Sequence, residues 1–188
     1  MAIMAEYYLI SQLPSLDGIN ESTPLPITSE RFTELCERFL GKKAQGEFQR
    51  ITLAPPRNPE KASSDLIEKW NDGERNLRLA LAKLRAEKLG KSFEADSQSF
   101  SAGLLQAART AVEIESPMEA EKFLNKYRLD FLETLRPMDS FSEEFVFYYG
   151  LKLKLIERIR KFDSESGEAA YRNIYDSIMN GDRSEVTQ

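Results

Sequence analysis

Gly90-Lys91-Ser92 has the residue order that closes a phosphate-binding loop. Such a loop also needs an earlier glycine, where Arg85 stands here, and it joins a strand to a helix. In this chain a helical pattern precedes the tripeptide and a polar stretch follows, so nucleotide binding there is set aside. The chain has no histidine, which excludes His-dependent triads and zincin-type sites. Its one cysteine, Cys36, cannot form an intramolecular disulfide, and it lies on an apolar stripe where a thiol reads as a small buried hydrophobe. Glu30, Glu34 and Glu37 share a helical face, which reads as a solvated acidic flank rather than a metal site. No catalytic residue, cofactor-binding residue, metal ligand or cofactor is assigned, and the chain is expected not to be an enzyme.

Two charges fall where charges are expensive. At about 100° per residue, Glu74 lands among Ile67, Trp70, Leu77 and Leu81, and Lys152 lands among Tyr148, Tyr149, Leu155 and Ile156. A lone buried charge costs several kcal/mol, so each needs a partner. The simplest solution is a buried ion pair between Glu74 and Lys152. The stretch 75–91 carries six cations against Glu87 alone. Arg75, Arg78 and Arg85 fall near one flank of it and are the candidates for contact with an acidic partner surface. Nucleic acid is disfavoured, because no aromatic residue interleaves with these arginines.

Helices must position these groups. Residues 6–13 are apolar but too short for periodicity to decide between helix and strand. Thr28 is placed to cap a helix in which Phe32, Leu35, Cys36, Phe39 and Leu40 form the apolar stripe, with Ile27 stapled to Phe32 and Gly41 as the stop. Residues 46–54 read as a short helical turn, with a strand as the alternative. A long helix is expected over 65–89, started by Asp65 with Glu68 and ended by Gly90. Another is expected over 101–115, and Ser116-Pro117-Met118-Glu119 has the cap, N1 proline and N3 glutamate that open the next. The segment 142–162 carries two apolar stripes and is expected to be the most buried helix; a last helix is expected over 168–180. The fold class is therefore all-α: a bundle of six to seven helices in a single domain over 1–188, divisible into sub-bundles 1–90 and 91–188, with no sheet of three or more strands.

Apolar residues make up 41% and charged residues 30%, a globular mixture. The formal net charge of −5 argues against general nucleic-acid binding. The first basic residue is Arg31, so no secretory signal is expected, and no apolar run approaches the roughly 20 residues of a membrane span. These features point to a cytoplasmic protein without direct membrane insertion and without a small-molecule substrate.

Five segments stand out: Tyr7-Tyr8-Leu9-Ile10-Ser11-Gln12-Leu13-Pro14, Glu74-Arg75-Asn76-Leu77-Arg78 through Leu84-Arg85-Ala86, Leu89-Gly90, Pro117-Met118-Glu119-Ala120-Glu121, and Leu151-Lys152-Leu153-Lys154-Leu155-Ile156-Glu157-Arg158. They resemble an uncharacterised bacterial family, domain of unknown function family 2764, whose members are encoded among V-type ATPase subunits. That family in turn resembles the C-type central-stalk adaptor of V-type ATPases, called d in eukaryotes, a helical protein to which 77–90 and 148–160 are similar. The resemblance implies a bundle like that of the adaptor and a non-catalytic accessory role in the stalk or in assembly. It also implies V-type ATPase subunits as partners and a place peripheral to the inner membrane. The alternative is a free-standing helical regulator or scaffold. Reversing the charges of Arg75, Arg78 and Arg85 is expected to weaken complex formation, followed by co-purification, and to leave thermal stability nearly unchanged, since exposed charges contribute little to folding.

Overall fold

The computed structural model describes residues 2–19, 23–56, 64–93 and 100–161. Those residues form seven helices and no strand: α1 (Ala2–Ser11), α2 (Ser29–Phe39), α3 (Lys42–Gln49), α4 (Asp65–Lys88), α5 (Ala102–Glu113), α6 (Pro117–Thr134) and α7 (Glu143–Arg160). The protein is all-α over this range. The helix expected over 168–180 lies outside the described residues.

Local chemistry accounts for most of the boundaries. The side chains of Thr28, Ser101, Ser116 and Ser142 each accept a hydrogen bond from the backbone N–H three residues on, so α2, α5, α6 and α7 begin at N-caps. The start of α4 differs from expectation: Ser64, not Asp65, is the cap, accepting from the Ile67 N–H. Its end is a Schellman turn. Gly90 has φ +66, its N–H bonds the Glu87 carbonyl, and the Lys91 N–H bonds the Ala86 carbonyl. Gly41 is not a left-handed stop. With φ −65 it is the N-cap of α3, and Leu40 closes α2. The short run 6–13 is helical in α1, and the turn expected within 46–54 is the end of a helix that begins earlier, at Lys42.

Helix α7 is the centre of the bundle. Ten of its residues are buried, from Val146 to Ile156, including most of both apolar stripes. It also lends carboxylates to two other helices. Glu157 accepts from the backbone N–H of Ser29 at 2.9 Å and from its hydroxyl at 2.6 Å, at the start of α2. Glu144 accepts from the Ser64 hydroxyl at 2.9 Å and the Leu66 N–H at 3.3 Å, at the start of α4. Each places negative charge at the positive end of a helix dipole and satisfies a donor the helix itself cannot. Gly150 gives α7 its close approach to the aromatic layer, since a Cβ there would stand 3.1 Å from Phe32 and 3.2 Å from Phe48.

The apolar core forms two clusters. The larger joins α1, α2, α3 and α7 with the start of α4 and Leu132 of α6. The smaller joins Leu77, Ala80 and Leu81 of α4 with α5 and Leu124 of α6. The two clusters meet partway along α4 and α6, and both of these helices pass through both clusters.

Gly73 marks where α4 and α6 meet. A Cβ there would lie 2.4 Å from the Phe131 ring, which stacks on Trp70 at a centroid distance of 6.2 Å. Alanine at this position gains about 1 kcal/mol of helix propensity. Displacing a packed ring typically costs about 1–3 kcal/mol. Gly73→Ala is therefore expected to destabilise the protein in urea unfolding, against the sign that propensity alone would give.

Candidate functional site

Between the two apolar clusters lies a chain of buried charges. The Glu74 side chain on α4 is 2% exposed and the Arg128 side chain on α6 is 7% exposed. Arg128 Nε donates to Glu74 Oε2 at 3.0 Å and Nη2 donates to Oε1 at 3.2 Å, a two-pronged contact that suits the planar guanidinium. Arg128 Nη1 donates to Glu121 Oε1 and to Asn125 Oδ1, both at 3.0 Å. Glu121 Oε1 accepts a further bond from Arg158 of α7 at 2.5 Å, and Arg78 Nε donates to Glu74 Oε1 at 2.9 Å. Three helices are tied by alternating charges, and buried Glu74 and half-buried Glu121 each meet two arginines.

A second constellation lines an open cleft of about 240 Å³ between the turn after α1 and the α6–α7 connection. Its apolar walls include Ile10, Leu13, Leu16, Phe145 and Tyr149. Lys152 lies in it, with Nζ 2.6 Å from Asp17 Oδ1 and 2.7 Å from Glu133 Oε1. The Tyr148 hydroxyl donates to the same Glu133 oxygen at 2.7 Å, and the Tyr149 hydroxyl donates to the Pro14 carbonyl at 2.9 Å. Arg136 lines the cleft with its guanidinium 5.9 Å from the Tyr148 ring centroid, and it makes no ion pair with a described residue. Burial pulls the Lys152 pKa down, but the hydrogen bonds to Asp17 and Glu133 outweigh it and hold the ammonium above its usual range. The Asp17 carboxyl is lowered, chiefly by its hydrogen bond from Lys152. Burial raises Glu133, but the bonds from Lys152 and Tyr148 prevail and leave it lowered. Burial pushes the Tyr148 phenol up to about 12. These four groups are thereby fixed as one cation, two anions and a neutral phenol at neutral pH.

Glu74 and Lys152 are both buried, but they do not pair with each other. The expectation of a single pair fails because each helix found a nearer counter-charge. Arg128 reaches Glu74 from α6, while Lys152 points to Asp17 and Glu133. Two of the three arginines on α4 are also engaged. Arg75 bridges Asp72 at 2.7 Å and Arg78 bridges Glu74, whereas Arg85 is exposed in the last turn. Reversing Arg78 would set a carboxylate beside the buried Glu74, so the expected thermal neutrality does not extend to it. Arg128, Glu121, Asn125, Asp17 and Glu133 were not found by sequence reasoning. Arg128 carried a signal: it stands four residues from both Leu124 and Leu132, which places a charge within the buried stripe of α6. Asp17 carried none, because it is a loop residue brought to Lys152 across 135 positions.

The fold and these constellations define an all-α bundle tied by internal ion networks. Residues 103–182 match the family model described as Protein of unknown function (DUF2764). The match covers less than half of the chain; it includes Glu121, Arg128, Glu133 and Lys152 but neither Glu74 nor Asp17. No curated protein and no solved structure matches the chain.

Removing one partner of a buried pair strands the other. Arg128→Met is expected to cost about 3–5 kcal/mol in chemical unfolding, and Arg128→Met combined with Glu74→Met considerably less. The Lys152 cluster predicts a pH effect. Asp17 and Glu133 are depressed from 3.8 and 4.5, so their stabilisation is present above those values and is lost as pH falls through the folded pKa values. In Lys152→Met the largest lowering influence on both carboxyls is lost, leaving only the smaller ones of Arg136, Ser15 and Tyr148. Stability measured by urea unfolding should then fall less steeply with acidification than in the wild type.

Proposed function

We propose that this chain is a non-catalytic subunit or accessory protein of a V-type ATPase, acting through protein–protein contacts in the stalk or in assembly. The observation that carries the reading is the sequence resemblance between the stretches around Glu74–Ala86 and Leu151–Arg158 and a family encoded with such subunits. The match over 103–182 supports the uncharacterised family itself and is compatible with this role. The finer likeness of the bundle to the C-type central-stalk adaptor and a position peripheral to the inner membrane belong to the same proposal.

The chemistry of the buried groups favours a binding protein over an enzyme. Lys152 is held protonated between two carboxylates, so it has no free amine for nucleophilic or base chemistry at neutral pH. Burial pushes the Cys36 thiol up to about 12, which leaves almost no thiolate. The charges instead tie helices together, which suits a rigid body that presents its surface to other proteins.

Affinity purification of the tagged full chain from its native cells tests the proposal. V-type ATPase catalytic subunits should be enriched over an untagged control in quantitative mass spectrometry. Enrichment of other proteins without any ATPase subunit would instead identify a free-standing regulator or scaffold.

A further inference from the structure

The cleft beside Lys152 combines features that the buried Glu74 network lacks. Both of its ionic partners are exposed, Glu133 at 41% on α6 and Asp17 on a loop. The Asp17 side chain is 61% exposed on the turn after α1, yet its carboxylate reaches the ammonium of Lys152, whose side chain is only 11% exposed. Gly18, the next residue, has φ +72, a backbone state that few other residues adopt without strain. A second cation, Arg136, lines the same cleft; it makes no ion pair with a described residue, and its charge acts on Asp17 and Glu133 from a longer range. Leu13, Phe145 and Tyr149 supply apolar wall next to these charges.

The cleft continues into an exposed aromatic shelf. Phe141 lines the cleft, is 44% exposed, and stacks on Tyr7, itself 49% exposed, at a centroid distance of 4.7 Å. Met138 of the same α6–α7 connection is fully exposed. Large exposed apolar side chains grouped together mark sites of contact with proteins, membranes or ligands. Glu6 and Glu143, close in sequence to Tyr7 and Phe141, are hydrogen-bonded carboxyls.

We propose that this cleft docks a partner protein through an acidic residue flanked by large apolar ones, and that Asp17 is an internal placeholder for the guest carboxylate. The guest carboxylate displaces Asp17 from Lys152 and gains Arg136 as a second donor, while the adjacent apolar side chains lie on the cleft wall and on the Tyr7–Phe141 shelf. Glu133 stays on Lys152 throughout, so the ammonium is never left without a counter-ion. Asp17 competes with the guest, and its removal must tighten binding. The inference deepens the reading of the chain as an interaction protein, but it does not depend on which assembly holds the partner.

The test uses the full chain and a fluorescein-labelled peptide, Phe-Leu-Asp-Gly, with its Phe-Leu-Asn-Gly analogue, read by fluorescence anisotropy. Asp17→Asn should bind the aspartate peptide about tenfold tighter than the wild type, a gain equivalent to one freed charge contact. The asparagine analogue should bind the variant at least about tenfold more weakly than the aspartate peptide. Arg136→Gln, an exposed substitution, should weaken binding of the aspartate peptide while the circular dichroism melting temperature stays at the wild-type value. The proposal is overturned if Asp17→Asn binds no more tightly than the wild type, or if both peptides bind it equally. Either failure would leave the co-purification result untouched, so this site and the wider functional reading stand or fall separately.

Discussion

A carboxylate cannot leave water alone, and Glu74 is 2% exposed inside a bundle of helices. Much of the architecture around it follows from that. Arg128 must come within hydrogen-bonding reach, which fixes how α6 is rotated and how far it lies along α4. Arg128 is then buried too and needs more acceptors than Glu74 offers, and Glu121 and Asn125 of its own helix provide them. Glu121 in turn receives Arg158 and draws α7 into the same lattice of charges. Such a network need not add net stability over well-packed apolar side chains. It does penalise every other register, because sliding α6 by one turn would strand charges in the core.

The glycine next to Glu74 serves the same junction. Gly73 leaves room for Phe131 against α4, so the aromatic contact and the ionic contact reinforce one packing distance. Helix α7 completes the arrangement from the other side. Glu144 and Glu157 stand 13 residues apart on it, and each meets the start of a different helix. One central helix thereby sets the position of α2 and α4 by electrostatics as well as by burial.

The Lys152 constellation obeys the same rule with a different result. Its ammonium is also buried and also paired, but both of its partners face water, and Asp17 belongs to a loop. An ion pair with one exposed member is screened and replaceable, whereas the Glu74–Arg128 pair is neither. The bundle thus holds one network that fixes the packing and a second that lies open at a cleft beside exposed aromatic side chains.

The all-α class, five of the seven helix positions, and the burial demanded of α7 were legible in the sequence, because caps and 3.6-residue periodicity are local properties. The stripe of Phe32, Leu35 and Cys36, the serine and proline before α6 and the glycine after α4 each act within a few residues of themselves. The helical state of α1 was not decided locally, because so short an apolar run satisfies either period until its neighbours are known. The helical wheel also placed Glu74 and Lys152 on apolar faces, which required partners without naming them. Only the tertiary structure could choose those partners. A helical wheel gives the direction of a side chain on its own helix, but not which helix lies opposite or which loop folds over it. Arg128 stands 54 residues from Glu74 and Asp17 stands 135 from Lys152, and those separations are closed only when the helices pack.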